Sequence, residues 1–287
     1  MEEITMNKKI LAIVMSIVLV AGIVCAFAAC NNDAGTTADP SETEAPASDI
    51  AYIKDKGEMI IGITYFAPMN YLDENNELIG FETEFAKAVC AKLGVEAKFQ
   101  EINWTAKETE LAAKNIDCIW NGMTITPERQ EAMAISTPYM ANKQVLVVKA
   151  DRLDEIKALA DAKGLNIVAE KESAGEGVAL EDAFFAEANY TAVDTQSKAL
   201  TEVMSGTADG CVVDYVASIG MIGEGTDFED LVVVDTLAFA DEQYGIAFRK
   251  GADTADEVNK AISELVADGT LAKIAAKYKL EEQIIAK

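Results

Sequence analysis

Apolar and polar positions follow two periods along this chain, the short period of strands and the longer period of helices. Short apolar runs predict strands at residues 58–63, 95–102 and 116–120. Between the first two runs an apolar residue recurs every four positions, at Phe81, Phe85, Val89 and Leu93. This recurrence predicts a helix with one buried face, and a capping-box pattern at 105–108 predicts another helix reaching about residue 114. The β-α-β order is typical of parallel sheets covered by helices.

A second unit with the same alternation begins after residues 143–149. It predicts helix 153–162, strand 166–169, a turn at 173–177 opening a helix through 185, helix 197–205, strand 210–214, a helix from 215 and strand 231–234. Strand 243–249 and terminal helices complete the chain. In both units we expect ligands to bind at the carboxyl ends of the strands.

The N-terminal residues predict export. Residues 1–30 combine basic positions with a twenty-residue apolar run and end in Phe27-Ala28-Ala29-Cys30, which resembles a lipobox, so Cys30 is expected to carry lipid. An uncleaved membrane anchor is the alternative. Translation begins at Met1 or, because the acidic leader does not suit a signal peptide, at Met6. Residues 31–51 are expected to form a flexible linker, since they offer hardly any large apolar side chain to bury.

Charge and residue usage narrow the function. The chain has 287 residues and a net charge of −25, so nucleic acid and anionic membrane surfaces are disfavoured as partners. It contains no histidine, which excludes histidine-dependent catalysis and the usual zinc sites. Beyond the signal peptide lie Cys90, Cys118 and Cys211 in apolar patterns, which predicts buried free thiols. A Cys90–Cys118 disulfide is the minority alternative.

The stretch 120–129 carries the strongest candidate chemistry. It reads as a strand end, a turn at Gly122 and a helix start, with Thr126 as the N-cap and Pro127 at the first helical position. Free amides, the hydroxyls of Thr124 and Thr126 and the guanidinium of Arg129 could together hold a carboxylate. The alternative is that Thr126 only caps the helix and Arg129 is a solvated surface charge.

Four segments carry a family resemblance: Ile61 to Pro68, Gly80-Phe81-Glu82, Ile116-Asp117-Cys118 and, most specifically, Gly122-Met123-Thr124-Ile125-Thr126-Pro127-Glu128-Arg129. Residues 52 to about 280 resemble the extracellular solute-binding proteins (family 3 type) of polar amino acid ABC transporters. The resemblance implies an α/β, two-lobed periplasmic-binding-protein-like (Venus flytrap) fold. Each lobe would be a mostly parallel sheet flanked by helices, and two hinge crossings would join them. Lobe 1 would contain residues 52–145 and 239–287, and lobe 2 residues 146–238.

The same resemblance assigns roles to residues. Arg129, with Thr124 and the backbone of Gly122, would bind the α-carboxylate of an amino acid. Ser173 and Ala174 would add the contribution of lobe 2. Asp214 would meet the α-ammonium, although a plain N-cap role before Tyr215 is the alternative for it. The resemblance also places three aromatic side chains at positions that flank the ligand side chain, with core packing as the alternative for each: Tyr65, Phe66 and Trp104.

Some positions depart from the family pattern. Glu172 stands where relatives often have glycine, Ala174 replaces the usual threonine, and Lys107 replaces an apolar pocket residue. We interpret Lys107 as a solvated helix charge, with pairing to an acidic ligand as the alternative. Thr64 stands where binders of basic amino acids tend to carry an acid.

The function that the resemblance implies is capture of a polar amino acid by a lipid-anchored extracellular protein that delivers it to an ABC transporter permease. We expect a monomer with no cofactor, no metal and no enzymatic activity. The alternatives are an amino-acid-sensing module or a dehydratase on the same scaffold, with Glu170 or Asp214 as general acid.

Overall fold

The computed structural model describes residues 48–237, 239 and 241–287. The predicted signal peptide, Cys30 and positions 31–47 of the predicted linker lie outside these residues. Within the described part of the chain, no helix has the length and apolar character needed to cross a membrane. The first helix begins at Asp49 with Ser48 as its N-cap, so the linker expected over 31–51 is wrong for its last three residues. Ile50 and Ile53 are buried there, and this burial explains why the helix starts so early.

The first half of the described chain builds one sheet and its helices. In chain order these elements are α1 (Asp49–Lys56), β1 (Glu58–Ile63), β2 (Tyr71–Leu72), β3 (Leu78–Ile79), α2 (Phe81–Leu93), β4 (Glu96–Glu101), α3 (Lys107–Ala112), β5 (Cys118–Ile119), α4 (Pro127–Ala132) and β6 (Ala134–Ile135). The predicted strand at 58–63 and the helix with the four-residue apolar repeat are confirmed.

The rest of the chain builds a second sheet and then returns to the first. The elements are β7 (Met140–Lys149), α5 (Leu153–Ile156), β8 (Asn166–Glu170), α6 (Ala174–Glu181), β9 (Asn189–Val193), α7 (Gln196–Ser205), β10 (Gly210–Asp214), α8 (Tyr215–Met221), β11 (Leu231–Val233), β12 (Asp241–Tyr244), β13 (Ala247–Phe248), α9 (Thr254–Ala267) and α10 (Thr270–Lys277).

Each sheet forms the centre of one lobe. The strand order is β4-β1-β5-β13-β6 in the first lobe and β11-β7-β10-β8-β9 in the second, with β12 paired to β7. The chain passes from β6 into β7 and returns from β11 through β12 to β13, which gives the two predicted crossings. The exact lobe boundaries stay predictions, because β7 runs without a break across position 145.

The expectation of mostly parallel sheets is wrong for the strands that enter from the other lobe. β1 pairs in parallel with β4 and β5, and β8 does so with β9 and β10. However, β13 is antiparallel to β5 and β6, and β7 is antiparallel to β10, β11 and β12. Parallel neighbours need a crossover connection, usually a helix, whereas a strand arriving from the other lobe has no such constraint.

Several predicted elements differ in extent, among them the strand predicted at 116–120, which is Cys118–Ile119, and the helix predicted through 185, which ends at Glu181. The capping box at 105–108 is wrong, because a 3-10 turn at Trp104–Ala106 precedes α3 and the side chain of Asn103 caps that turn. The helix expected over 153–162 ends at Ile156, its one buried residue, and residues 157–161 after it are exposed. The strand expected over 243–249 is two strands, since the chain changes partner from β7 to β5 and β6.

The three cysteines of the described residues are buried free thiols, as predicted. The alternative of a Cys90–Cys118 disulfide is therefore wrong for this structure.

Candidate functional site

Arg129 is positioned by the start of α4. The hydroxyl of Thr126 accepts a hydrogen bond from the Arg129 amide at 3.2 Å, and Pro127 occupies the first turn, as predicted. The guanidinium donates from Nη1 to the carbonyl of Thr124 at 2.8 Å and from Nη2 to the carbonyl of Glu172 in the second lobe at 3.2 Å. It also lies over the ring of Trp104, 5.9 Å from the centroid. Arg129 is therefore not a freely solvated surface charge.

The Gly122 amide points into the interior of the first lobe. It donates at 2.8 Å to Oε1 of Glu82, a carboxyl buried in the first lobe. The φ angle of Gly122 is +55°, and a Cβ there would lie 2.8 Å from Cζ of Phe66. The Gly122 amide is therefore paired inside the first lobe, and the expected contribution of the Gly122 backbone to a ligand site stays a prediction.

Asp214 ends β10 in the second lobe and is 7% exposed. Its Oδ1 accepts hydrogen bonds from Asn142 Nδ2 at 2.7 Å and Gln144 Nε2 at 2.6 Å, while Gln196 Nε2 donates to Oδ2. Although Asp214 occupies the N-cap position of α8, its side chain makes no capping hydrogen bond. The plain N-cap interpretation of Asp214 is therefore wrong.

The amide donors around Asp214 were missed by sequence reasoning. Asn142 and Gln144 also donate to Oε2 of Glu242, at 3.0 and 2.9 Å, and Thr124 Oγ1 donates to the same oxygen at 3.0 Å. The signal was available, because two amides two residues apart in an apolar strand must point to the same face. That face is buried, so the amides need polar partners.

The second lobe contributes the start of α6. The hydroxyl of Ser173 caps this helix by accepting from the Glu176 amide at 3.1 Å. Ala174 is its first residue, and Gly175 approaches β10 so closely that a Cβ there would lie 2.9 Å from the carbonyl of Val212. The N-terminal turn of α6 consequently faces Arg129 across the cleft between the lobes.

One narrow cavity joins these elements. It is lined by Trp104, Asn121, Gly122, Thr124, Arg129, Glu170, Ser173, Ala174, Gln196 and Asp214. Seven of the nine predicted ligand-binding residues lie on it, and Tyr65 and Phe66 do not. Tyr65 lines a separate cleft beside Trp104, and Phe66 packs in the core of the first lobe under Gly122.

Lys107 differs from its interpretation as a solvated charge. It is 3% exposed, and its Nζ donates to the carbonyl of Trp104 at 3.2 Å while lying 4.8 Å from the centroid of that ring. Its nearest acid is Glu172, at 3.7 Å across the cleft. Glu172 itself has a φ of +60°, the left-handed region that favours glycine, so the backbone explains why glycine is the usual residue here.

Burial and neighbouring like charges shift the pKa values of the ionisable groups around the cavity. Burial raises the pKa of Asp214, and burial followed by the charge of Asp214 raises the pKa of Glu242. Burial, followed by the charge of nearby Arg129, lowers the pKa of Lys107. Two pairs of like charges therefore raise each other's cost of ionisation, Asp214 with Glu242 and Arg129 with Lys107, so a molecule that carries both an ammonium and a carboxylate group would offset both. The described residues contain no group of three or more potential metal ligands close enough to hold an ion.

Comparison with known proteins identifies the class to which this fold and site belong. Residues 59–281 match the family described as bacterial extracellular solute-binding proteins, family 3. The chain belongs to this family, whose related members are amino-acid-binding proteins of ABC transporters.

Individual relatives agree with this family membership. The L-cystine-binding protein TcyJ of Escherichia coli (strain K12) is 30% identical over 233 residues, covering 79% of this chain and 84% of its own. The arginine-binding extracellular protein ArtP of Bacillus subtilis (strain 168) is 29% identical over 230 residues, covering 78% and 86%.

Solved structures share the two-lobed fold. The ancestral amino acid-binding protein AncCDT-1, a precursor of cyclohexadienyl dehydratase, has a TM-score of 0.71 at 30% identity and covers 81% of this chain and 99% of its own. An ABC uptake transporter substrate-binding protein from Streptococcus pneumoniae with bound histidine has a TM-score of 0.71 at 28% identity, covering 82% and 97%.

Proposed function

We propose that this protein is a lipid-anchored extracellular binding protein that captures a polar amino acid between its lobes and delivers it to an ABC transporter permease. The observation that carries the proposal is that Arg129 of the first lobe and Asp214 of the second lobe line the same cavity. A free α-amino acid has one carboxylate and one ammonium group, and these two residues offer a partner for each.

The α-carboxylate would bind at Arg129, assisted by Thr124 and the capped start of α6 at Ser173 and Ala174. A guanidinium binds a carboxylate through two parallel hydrogen bonds. The Arg129 guanidinium lies on the cavity, where it is held by the carbonyls of Thr124 and Glu172. The α-ammonium would bind at Asp214, whose hydrogen-bond donors hold the carboxylate in place. Trp104 would pack against the ligand from the first lobe.

Ligand capture would work by closure. Arg129 and Trp104 both donate to the carbonyl of Glu172, at 3.2 and 3.3 Å, so contacts between the lobes surround the cavity. A ligand can enter only when these contacts open. A ligand that then bridges Arg129 and Asp214 shifts the population to the closed state, because only that state offers both partners.

The relatives support a polar ligand, since their names specify cystine and arginine. The family's transport role supports a permease partner, and we propose that the protein acts as a monomer. The anchor at Cys30 and the exported location rest on the lipobox resemblance, and mass spectrometry of the protein from membranes would detect a diacylated N-terminal Cys30.

A thermal-shift panel tests the binding function. The twenty amino acids and cystine are added to the purified protein and to Arg129→Ala, with Arg152→Ala as a control that loses an arginine in the second lobe, outside the cavity. Ligand at about 1,000 times its Kd should stabilise by roughly 4 kcal/mol. We expect polar amino acids to stabilise the wild type and Arg152→Ala but not Arg129→Ala. If no amino acid stabilises the wild type, the proposed function is wrong.

The same samples test the dehydratase alternative. Glu170 and Asp214 are buried acids at the cavity, and one structural neighbour is described as a precursor of a dehydratase. Under the binding function, NMR spectra of any stabilising amino acid remain unchanged after long incubation with the protein. New resonances that require Glu170 would establish an enzyme.

A further inference from the structure

Glu170 is a buried carboxyl at the cavity without a protein partner for one oxygen. It ends β8, is 5% exposed, and its Oε1 has no hydrogen-bond partner among the described residues. The two other acids at the site differ, because Asp214 accepts from three amides and Glu242 from two amides and a hydroxyl. Buried polar atoms are normally paired, so this oxygen calls for an explanation.

The position of Glu170 places its carboxyl beside the expected ammonium site. β8 and β10 are parallel neighbours, with Ala169 opposite Val212, so Glu170 and Asp214 follow at the carboxyl ends of adjacent strands. Continuing this register puts Glu170 level with Val213, one residue before Asp214, and the charge of Asp214 raises the pKa of Glu170. Both side chains line the cavity that also holds Arg129.

Among the described residues no cation forms an ion pair with Glu170. The Lys107 ammonium is directed at Trp104 and Glu172. Burial raises the pKa of Glu170 to about 8, the charge of Asp214 adds to this shift, and Lys107 opposes it. A donor supplied from outside the protein would offset the cost of burying this carboxyl.

We infer that Glu170 determines specificity by accepting a hydrogen bond from an N–H group in the ligand side chain. The inference rests on the proposed function, because the α-carboxylate and α-ammonium must already occupy Arg129 and Asp214. The fitting side chains end in an amide, a guanidinium or an ammonium group. Above about pH 8, where Glu170 is ionised, a side-chain carboxylate would face the like charges of Glu170 and Asp214, so acidic amino acids are rejected.

Isothermal titration calorimetry with matched amino acids tests this inference. The donor probes are L-glutamine, L-asparagine, L-arginine, L-lysine, L-histidine and L-cystine. L-norvaline lacks the side-chain donor, and L-glutamate replaces the amide of glutamine by a carboxylate. For the tightest donor probe we expect binding about 10- to 150-fold stronger than that of norvaline, since a charge-assisted hydrogen bond contributes about 1.5–3 kcal/mol.

Two substitutions of Glu170 distinguish a ligand that donates from an amide group from one that donates from a cationic group. Glu170→Leu removes the acceptor and should abolish the preference over norvaline. Glu170→Gln keeps an acceptor oxygen but no charge, so an amide ligand should lose only about 3-fold and a cationic ligand about 30-fold. Glu170→Gln should also bind glutamate more tightly than the wild type does. Glu229→Gln, which removes an exposed charge from the same lobe, is the control for charge.

The possible failures are distinguishable. If norvaline or glutamate binds the wild type as tightly as the donor probes, or if both Glu170 variants weaken all probes equally, the inference is overturned and amino acid binding stands. If no amino acid binds the wild type, both the inference and the proposed function are overturned. Melting temperatures of the variants without added amino acid identify any variant that fails to fold, and Glu170→Gln, the isosteric change, then decides.

Discussion

Gly220 in α8 of the second lobe lies directly against Pro68 in the loop after β1 of the first lobe. A Cβ at Gly220 would lie 2.4 Å from both N and Cδ of Pro68 and 2.6 Å from the carbonyl carbon of Ala67. Backbone atoms cannot move aside as flexible side-chain ends do. The two lobes therefore meet backbone to backbone at a point outside the residues that line the cavity.

This contact predicts that Gly220→Ala impairs closure. The methyl group should destabilise the closed state by about 1–3 kcal/mol and weaken binding of the tightest amino acid about 5- to 100-fold. Calorimetry measures the affinity, and small-angle scattering should show a larger radius of gyration with ligand than for the wild type. Gly177→Ala is the matched control, because a Cβ there meets no atom within 4 Å. Equal affinities for Gly220→Ala and the wild type would contradict the prediction.

Substitution of the buried Glu82 should destabilise the folded protein strongly. This carboxyl, 1% exposed, accepts from the Gly122 amide at 2.8 Å, from Asn70 Nδ2 at 2.9 Å and from the hydroxyl of Tyr139. Glu82→Ala leaves these donors unpaired and should lower the free energy of unfolding by about 3–4 kcal/mol. Tyr139→Phe removes only one partner and should cost about 1 kcal/mol. Urea unfolding measures both, and a cost below that of Tyr139→Phe would argue against this role of Glu82.

Glu170 predicts a pH dependence of stability. Its pKa is raised from the usual 4.5 to about 8 in the folded protein. The folded state therefore holds more protons than the unfolded state between these values. The associated stability is present below about pH 4.5 and is lost as the pH rises through about 8. Between pH 5 and 9, without amino acid, the wild type should lose about 2–4 kcal/mol relative to Glu170→Gln.

Calorimetric unfolding of both proteins across this pH range provides the measurement. Burial raises the pKa of Glu82 to about 7, which contributes a loss of the same sign, but Glu82 is present in both proteins. The difference between the two curves therefore isolates Glu170. Parallel curves would show that Glu170 ionises normally in the folded protein.

The cap of α4 predicts a coupled effect on stability and binding. Thr126→Ala removes the acceptor for the Arg129 amide and should cost about 1 kcal/mol in the free energy of unfolding. Because Arg129 lies in the first turn of this helix, affinity for the tightest amino acid should fall as well. Thr126→Ser keeps a hydroxyl acceptor and should behave like the wild type. A loss of stability without any loss of affinity would show that Arg129 is held independently of the cap.

Much of the local structure was determined by the sequence. The strand at Glu58–Ile63, the helix at Phe81–Leu93 and the strand at Gly210–Asp214 were predicted from apolar periodicity, and the start of α4 from Thr126 and Pro127. These features depend on neighbours within a few residues, so a local pattern contains the necessary information. The family resemblance likewise assigned Arg129 and Asp214 to one ligand site, because family members share a three-dimensional fold as well as local motifs.

The tertiary structure alone decided how buried polar groups are paired. The Gly122 amide donates to Glu82, which lies 40 residues away in sequence, and Gln144 donates to Asp214, 70 residues away. Lys107 is buried because Trp104 and the second lobe cover it, although its local sequence is that of an exposed helix start. Hydrogen bonding and desolvation depend on groups that are far apart in the sequence and meet only in the folded protein, and no local periodicity encodes those distances.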